Sequence, residues 1–341
     1  MLDARFMVAL GLAVLILLGL GYFFYSLQPT LASDNLVEFK ISRGESFRSI
    51  GARLSQKSLI KSISVFKLYS FLTGRATRFQ PGIYELSYEM SVPEIVGNIS
   101  AGGENEVQVV IPEGSTVKDI DYILSKAEVI EPGQVENYKI DSLDEDYVFL
   151  RHSFSEFSVD MSFLEGFLFP DTYRFHIDSD PEKIVRIMLD NFEEKVWNEL
   201  KNRDNWYEDL ILASYLEKEV PEYEDRRIVA GIIRKRLGSG IPLQIDATIS
   251  YVKCDGGFLE CDKSDIKVTN GDLDSVSSPF NTYKKMGWTP TPISNPGEKA
   301  IKAAINPKPS PYWYYLSAKE TGDTIFSRTL QEHNLNRQRY L

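Results

Sequence analysis

The sequence predicts an α+β protein with short sheets and several helices, preceded by one transmembrane helix. Three observations support this class: an uncharged apolar run near the start, a recurring strand-turn-helix pattern, and amphipathic segments in the second half of the 341-residue chain. The length allows one large domain or two medium ones, with a sizeable core. The net charge of −11 argues against a nucleic-acid partner, because such partners bind a basic face.

The apolar run carries no charged residue from Phe6 to Ser33, and most of it reads "FMVALGLAVLILLGLGYFFY". About 20 such residues cross the hydrocarbon core of a bilayer as a helix. A cleaved signal peptide usually has a shorter apolar region, of about 7–15 residues, and a small-x-small cleavage site, for which "LAS" at 31–33 is a poor candidate. We therefore predict a cytoplasmic leader over residues 1–5, an uncleaved span over 6–26, and export of the remaining chain.

Two stretches share a strand-turn-helix pattern at an offset of 70 residues. "ISRGESFRSIGARLSQKSLI" begins at Ile41 and "IPEGSTVKDIDYILSKAEVI" begins at Ile111, and six positions are identical. Ser46 and Thr116 are placed to cap the two helices by accepting a backbone N–H. The pattern indicates either a duplicated small module or the chance recurrence of a common α/β arrangement.

The polar, glycine-rich segment "SAGGENE", residues 100–106, is the best candidate boundary between domains. We predict a first domain over 36–103 and a second over 107–341. In the second, "IDSDPEKIVRIMLDNFEEKVWNEL" has the pattern of an amphipathic helix with Pro181 near its first turn. "EDLILASYLEKEV" and "DRRIVAGIIRKRLG" are predicted to be two further helices, and "PYWYYLSA" a late strand rich in aromatic residues.

The segment "LASYLEKEVPE", Leu212–Glu222, ends an apolar run with two glutamates. On a helix, Glu219 shares one stripe with the apolar residues three, four and seven positions before it. Glu217 lies about 160° away, at the edge of the apolar arc, and Lys218 is expected on the polar side. Glu219 is therefore predicted to face inward, and Pro221 is expected to end the helix so that this acid lies at a cleft wall.

An inward carboxylate suggests a chemical role. Burying an ionised carboxylate without a partner is costly, so such a group tends to take up a proton. A carboxylic acid that is partly protonated near neutral pH is what general acid catalysis requires. Glu219 is thus either a catalytic acid or a structural carboxylate satisfied by an arginine or by backbone N–H groups.

The cysteines and histidines give no sign of a metal site. Cys254 and Cys261, in "CDGGFLEC", either close a short disulfide ring or remain free thiols. The chain lacks CxxC and HExxH, and its three histidines are widely scattered. We expect neither a metal nor another cofactor.

Seven blocks, in order from about residue 107 to 334, resemble the YceG-like, MltG-type endolytic murein transglycosylases. "FKISRGESFRSIGARL" also resembles the opening of LysM-type modules, which bind N-acetylglucosamine polymers. The two resemblances imply that the first domain is a small LysM-like α/β module and that the second is a mixed α+β YceG-like catalytic domain. The chain departs from the usual family pattern at Ala247, where Pro is common, and at residues 288–290, which read Trp-Thr-Pro instead of Leu-Pro-Pro. The seven blocks are "EGFLFPDTY", "ASYLEKE", "IPLQIDATISY", "SPFNTY", "TPISNPGEKAIKAAINP", "PYWYYLSA" and "FSRTLQEHN".

The resemblance implies a membrane-anchored enzyme that cuts within the glycan strands of peptidoglycan. The bond cut would be that between N-acetylmuramic acid (MurNAc) and N-acetylglucosamine (GlcNAc), with formation of 1,6-anhydroMurNAc and an end to strand elongation. The family's catalytic acid corresponds to the second glutamate of "EKE", Glu219, in agreement with the helix-face argument. Glycan strands and peptidoglycan synthases are the implied partners, and the implied location is the inner membrane with a periplasmic catalytic domain.

Two loop-like blocks supply candidate sugar-binding residues: Gln244 and Asp246 in "PLQID", and Asn281, Thr282 and Tyr283 in "SPFNTY". Amides and hydroxyls suit the N-acetyl and hydroxyl groups of sugars, and a tyrosine ring can stack on a sugar face. Turn-capping is the alternative role for Asn281, and helix N-capping is the alternative for Asp246.

Four further residues are assigned supporting roles. Glu217 is expected on the surface or in a salt bridge, from where its charge could assist the acid. Glu165 and Asp171, which flank a proline in "EGFLFPDTY", are expected to hold a turn together. His333 is expected to be structural or to lie near the rim of the cleft.

Two other functions stay open on sequence grounds. One is a hydrolytic muramidase in which Glu219 works with Asp246 or Glu217 as a second carboxylate. The other is a non-catalytic, membrane-tethered scaffold that grips glycan through its LysM-like module and recruits the machinery of cell-wall synthesis.

Overall fold

The computed structural model describes residues 4–31, 35–42, 44–101, 106–139, 146–150 and 164–341. The chain divides into two compact units, Met1–Val107 with Phe175–Asp178, and Gln108–Arg174 with Ser179–Leu341. The described residues form helices and three two-stranded sheets, which confirms the α+β class with short sheets. Most of the glycine-rich boundary predicted at 100–106 lies outside the described residues.

The first unit combines one long apolar helix with a small α/β core. Its first helix has 24 residues, about 36 Å at 1.5 Å per residue, which exceeds the roughly 30 Å of a bilayer's hydrocarbon core. Among the described residues it is the one helix whose length and composition suit a membrane span. Strands β1 and β2 pair antiparallel, with Ile41 opposite Gly82. The elements are α1 Ala4–Leu27, β1 Leu36–Ile41, α2 Phe47–Gln56, α3 Ile63–Leu72, β2 Gly82–Ser87 and α4 Val92–Ala101.

The second unit is mainly helical. Strands β3 and β4 form one of the two-stranded sheets. β5 and β6 pair antiparallel, with Tyr315 opposite Phe326. The elements are β3 Glu106–Val110, α5 Val117–Lys126, β4 Thr172–His176, α6 Pro181–Phe192, α7 Trp206–Glu219, α8 Tyr223–Gly238, α9 Asp246–Lys253, α10 Lys263–Ile266, α11 Asn270–Ser275, α12 Glu298–Ile305, β5 Tyr314–Ser317, β6 Thr324–Ser327 and α13 Leu330–Tyr340.

The two similar stretches adopt the predicted local structure. The hydroxyls of Ser46 and Thr116 cap α2 and α5, each accepting the backbone N–H three positions further on at 3.1 Å. Gly44 and Gly114 precede these caps with φ of 77° and 79°, in the left-handed region that glycine enters without a steric penalty. Both predicted helix starts are therefore confirmed.

The helix α7 lies in the core of the second unit, and its surroundings correct one prediction. From Trp206 to Leu216 all of its residues except Glu208 are buried, Ser214 included, so the helix has no solvent face over this stretch. The expectation that Lys218 lies on a polar side was wrong for the same reason. A helix that is packed all round is not oriented by a single apolar stripe.

Candidate active site

The last turn of α7 opens onto a groove of about 620 Å³ within the second unit. The helix ends at Glu219, because Val220 is extended and Pro221 follows, and proline cannot continue the backbone hydrogen bonding of a helix. The predicted helix end is thus confirmed, and Glu219 lies in the groove wall.

Glu219 is half-buried, so its carboxyl reaches the groove while protein surrounds it closely. Burial and then the nearby charge of Asp246 raise the pKa of Glu219 to about 7. Two donors oppose this rise: the backbone N–H of Ala247, 3.1 Å from Oε1, and the hydroxyl of Tyr315. The carboxyl is therefore close to half protonated at neutral pH, and two donors orient it.

The other glutamate of the pair has a different environment. Glu217 forms a salt bridge with Arg226, with an N–O distance of 2.7 Å and only 6% and 7% of the two side chains exposed. It also accepts the backbone N–H of Gly297 at 3.0 Å. The salt-bridge role predicted for Glu217 is confirmed, and the alternative of a surface position was wrong.

Lys218, between the two acids, also lines the groove. Its ammonium donates to the carbonyl of Gly114 at 3.0 Å and lies 3.8 Å from the centre of the Phe258 ring. Burial lowers its pKa. The charges that act on this ammonium are those of Asp119, Glu165 and Glu217, so Lys218 lines the groove while its charged end faces other acids.

Gln244, Asp246 and Tyr283, three of the five residues predicted to bind sugar, line the groove. The Tyr283 hydroxyl donates to Asp246 Oδ1, and burial together with this charge raises the pKa of the tyrosine. Gln244 has a φ of 55°, and its Oε1 accepts from Arg236 at 2.5 Å. Asp246 is the first residue of α9 and Ile245 is the N-cap, so the N-capping alternative for Asp246 was wrong.

Asn281 and Thr282 are buried and do not line the groove. The Asn281 amide donates to two backbone carbonyls and its oxygen accepts from two backbone N–H groups, so the turn-capping alternative for this residue is confirmed. Thr282 Oγ1 accepts the N–H of Ile245 at 2.9 Å. Thr282 therefore joins the "SPFNTY" and "PLQID" blocks, whereas Asn281 ties its own turn to the segment at residues 273–276.

Glu165 lies outside the groove, at the start of α5. Its buried carboxylate accepts from the N–H of Val117, the Tyr251 hydroxyl and the Asn295 amide, over 3.1–3.3 Å. Burial raises its pKa to about 8. These contacts suit the structural role expected of Glu165.

Asp171 also lies outside the groove. Its Oδ2 binds Lys195 at 2.6 Å and Asn191 at 3.0 Å, and these contacts, the lysine first, lower its pKa. Asp171 therefore ties the segment before β4 to the helical segment after it, in keeping with the expected structural role.

Several groove residues were not predicted from the sequence. Tyr314 and Tyr315 belong to the quoted "PYWYYLSA" block, whose aromatic content was the available signal. Arg236 and Arg337 carried no pattern that set them apart. His333, expected near a cleft rim, lines the groove and stacks on Tyr314 at 5.2 Å between ring centres.

Cys254 and Cys261 form a disulfide, with 5.3 Å between their Cα atoms, which decides the alternative left open by the sequence. The ring follows directly after α9, the helix whose first turn contacts Glu219. Over the described part of the chain, no group of three or more His, Cys, Asp or Glu side chains could hold a metal ion.

The groove presents one partly protonated acid beside polar and aromatic side chains, which is the arrangement of an enzyme that uses general acid catalysis. Residues 39–339 match the model of the YceG-like family, so the chain belongs to that family. The endolytic murein transglycosylase of Bacillus subtilis is 31% identical over 91% of this chain and 86% of its own length. That of Streptococcus pneumoniae strain D39 is 26% identical over 93% of this chain and 61% of its own length.

A solved structure gives the same result. The crystal structure of a yceG-like protein from Listeria monocytogenes has a TM-score of 0.52 and 30% sequence identity. The match covers 89% of this chain and all of that one.

Proposed function

We propose that this protein is an endolytic murein transglycosylase that cuts the MurNAc–GlcNAc bond within glycan strands. The observation that carries the proposal is the carboxyl of Glu219, which lies in a groove wall with its pKa raised to about 7. The names of the B. subtilis and S. pneumoniae relatives support the same activity.

In the proposed reaction Glu219 acts twice. In its protonated form it gives a proton to the oxygen between MurNAc and GlcNAc, and the bond from that oxygen to C1 of MurNAc breaks. The C6 hydroxyl of the same MurNAc attacks C1 and loses its proton to the Glu219 carboxylate. This closes the 1,6-anhydro ring, releases the GlcNAc end and restores the acid without any water being consumed.

The neighbours of Glu219 fit this cycle. The N–H of Ala247 and the hydroxyl of Tyr315 stabilise the carboxylate formed after the first step, and the nearby charge of Asp246 favours the return of the proton. The attacking hydroxyl belongs to the substrate, so it benefits from the high effective concentration of a tethered nucleophile. Gln244 and Tyr283 are proposed to bind the sugar's polar groups.

The hydrolytic alternative needs a second carboxylate to activate water. Glu217 is poorly suited to this role, because it is committed to its buried pair with Arg226. Among the described residues that line the groove, Asp246 is the other carboxylate, and Tyr283 already donates to it. These contacts favour transglycosylation over hydrolysis.

Digestion of purified sacculi by the full chain, with mass spectrometry of the products, tests the proposal. Anhydro-muropeptides from the wild type and none from Glu219→Gln are the expected result. Reducing ends in place of anhydro ends would establish the hydrolase, and full strand cutting by Glu219→Gln would establish that Glu219 is not the acid.

The domain assignment and location form the second part of the proposal. We propose that residues 1–5 are cytoplasmic, that residues 6–26 anchor the chain in the inner membrane, and that the LysM-like module, 36–103, and the catalytic domain, 107–341, are periplasmic. The length and apolar character of α1 support the anchor. Partnership with peptidoglycan synthases would place strand cutting beside strand growth. Carbonate extraction of membranes, followed by protease treatment of spheroplasts, checks both anchoring and orientation.

A further inference from the structure

The helix α13 forms one wall of the groove. Residues at positions 330, 333, 334, 337 and 341 line it, a spacing of three and four that lies along one face of a helix. Arg337 is the charged residue of this face. Arg339, two positions further on, points about 160° away around the helix and does not line the groove.

Among the described residues, no protein group pairs with the guanidinium of Arg337. Its side chain is exposed in the groove, and among the described residues no hydrogen bond or ion pair holds its guanidinium. It lies close enough to His333 that, after burial, its charge is the next cause that lowers the pKa of that histidine. Its charge also acts to lower the pKa of Tyr283, whose hydroxyl donates to Asp246. Asp246 is in turn the residue whose charge raises the pKa of Glu219. Arg337 is therefore near the reacting region but free to bind a ligand.

Two more cations line the same groove, and for one of them, Arg236, the described residues include no carboxylate partner. Arg236 is 5% exposed and donates to the carbonyl of Pro242 and to Gln244 Oε1, both neutral groups. Lys218 also lines the groove, but the charges of Asp119, Glu165 and Glu217 act on its ammonium, so it is not counted as available. The described groove residues then present two available cations, Arg236 and Arg337, beside two acidic side chains, one of which is about half protonated at neutral pH. In a chain of net charge −11, such a region is locally suited to an anion.

We propose that Arg337, supported by the field of Arg236, binds a carboxylate of the peptide stem carried by MurNAc, and so selects strands that bear charged stems. The inference rests on the proposed function. In an intact strand the lactyl carboxyl of MurNAc is tied up in the amide bond to the stem, so the stem supplies the carboxylates. A guanidinium binds a carboxylate through two parallel N–H···O bonds, which gives geometric selectivity as well as attraction.

The test compares three substrates made from one batch of uncross-linked strands. The first keeps its stems, the second has its stem carboxylates converted to amides with carbodiimide and ammonia, and the third has its stems removed by an amidase. The proteins are the full-length wild type, Arg337→Gln, Arg337→Lys and, as matched control, Arg339→Gln. Rates of formation of anhydro ends are measured at low and high salt.

We expect the wild type to cut the charged strands about 3- to 10-fold faster than the amidated ones, the range for an exposed to a well-formed charged pair. Arg337→Gln should cut charged and amidated strands at the same rate, equal to the rate of the wild type on amidated strands. Arg337→Lys should retain part of the preference for charged strands, and Arg339→Gln should match the wild type. High salt should reduce the preference, because it screens exposed charges. On stem-free strands Arg337→Gln and the wild type should be equal.

Three results would overturn the inference: an unchanged preference in Arg337→Gln, an equal loss on charged and amidated strands, or an Arg337 effect that persists on stem-free strands. The last would assign the contact to the lactyl carboxylate that stem removal exposes. Failure of the proposed function looks different, because the wild type would then give no anhydro ends on any of the three substrates.

Discussion

Replacing Glu219 by Gln should stop strand cutting and, at alkaline pH, make the protein more stable. The stability effect follows from the pKa of the acid. In the folded chain this pKa is about 7, whereas the ordinary value is 4.5. Between pH 4.5 and 7 the folded state binds more protons than the unfolded state, so stability falls as the pH rises through this window. Below 4.5 both states are protonated and the cost vanishes, and above 7 it is complete.

The size of the effect can be worked from the two pKa values. A rise from 4.5 to about 7, at about 1.36 kcal/mol per pH unit, corresponds to about 3 kcal/mol of lost stability above pH 7. A neutral amide of nearly the same shape removes this cost. For a unit of this size, about 3 kcal/mol corresponds to an increase in Tm of ~6–12 °C at pH 8. At pH 4 the variant and the wild type should unfold within a degree or two of each other.

Thermal unfolding by circular dichroism at pH 4, 6 and 8 measures the effect, with the full chain in one detergent throughout. The matched control is Glu217→Gln, on the same helix two positions away. It leaves Arg226 buried without its counter-charge, and should lower stability by about 3 kcal/mol at pH 8. The two substitutions of glutamate by glutamine should therefore have opposite signs.

A lower Tm for Glu219→Gln at pH 8 would refute the reasoning, because it would mean that the ionised carboxylate stabilises the fold. A gain of equal size at pH 4 and pH 8 would also refute it, since the effect would then not come from titration. In either case the argument that this acid is held ready to give up a proton would fail.

Three further outcomes follow from the same contacts. The rate of strand cutting should be level below about pH 7 and should fall about tenfold per pH unit above it, because the first step needs protonated Glu219; a pH profile of kcat/KM checks this. Ala247→Pro removes the N–H that binds Glu219 Oε1, so the falling limb of that profile should move up by ~1 pH unit, whereas a downward move would contradict the hydrogen bond. Replacing both Cys254 and Cys261 by Ser opens an eight-residue ring and should cost about 2 kcal/mol in urea unfolding, with an unchanged midpoint as the contrary result.

The parts of the fold that were predicted correctly depend on neighbours in sequence. The long apolar helix, the caps at Ser46 and Thr116, and the amphipathic helix that begins at Pro181 all follow from residues within a few positions of each other. The end of α7 before Pro221 is local as well, whereas the surroundings of its two glutamates are not: Glu219 lines the groove, and the Glu217 side chain is only 6% exposed in its salt bridge. The backbone supplies these patterns with a fixed period, so sequence reasoning reaches them.

The roles of the groove residues depended on contacts between distant segments. Asn281 and Thr282 suited sugar binding by residue type, but in the fold Thr282 binds the segment before α9 and Asn281 binds the backbone at Leu273 and Val276. Lys218 was assigned to a polar face with Ser214, but Ser214 is buried and the lysine donates to the backbone carbonyl of Gly114. Residue type alone cannot distinguish a group that binds a ligand from one that binds its own backbone.

The sequence by itself determined which helix carries Glu217 and Glu219, where that helix ends, and which family the motifs resemble. Only the tertiary structure brought Tyr315 and Ala247 to Glu219, committed Glu217 to Arg226, and made Arg337 part of the groove wall. The reason is physical. Helical periodicity fixes the direction of a side chain relative to its own helix, whereas burial, charge and hydrogen-bond partners come from segments that meet only when the chain has folded.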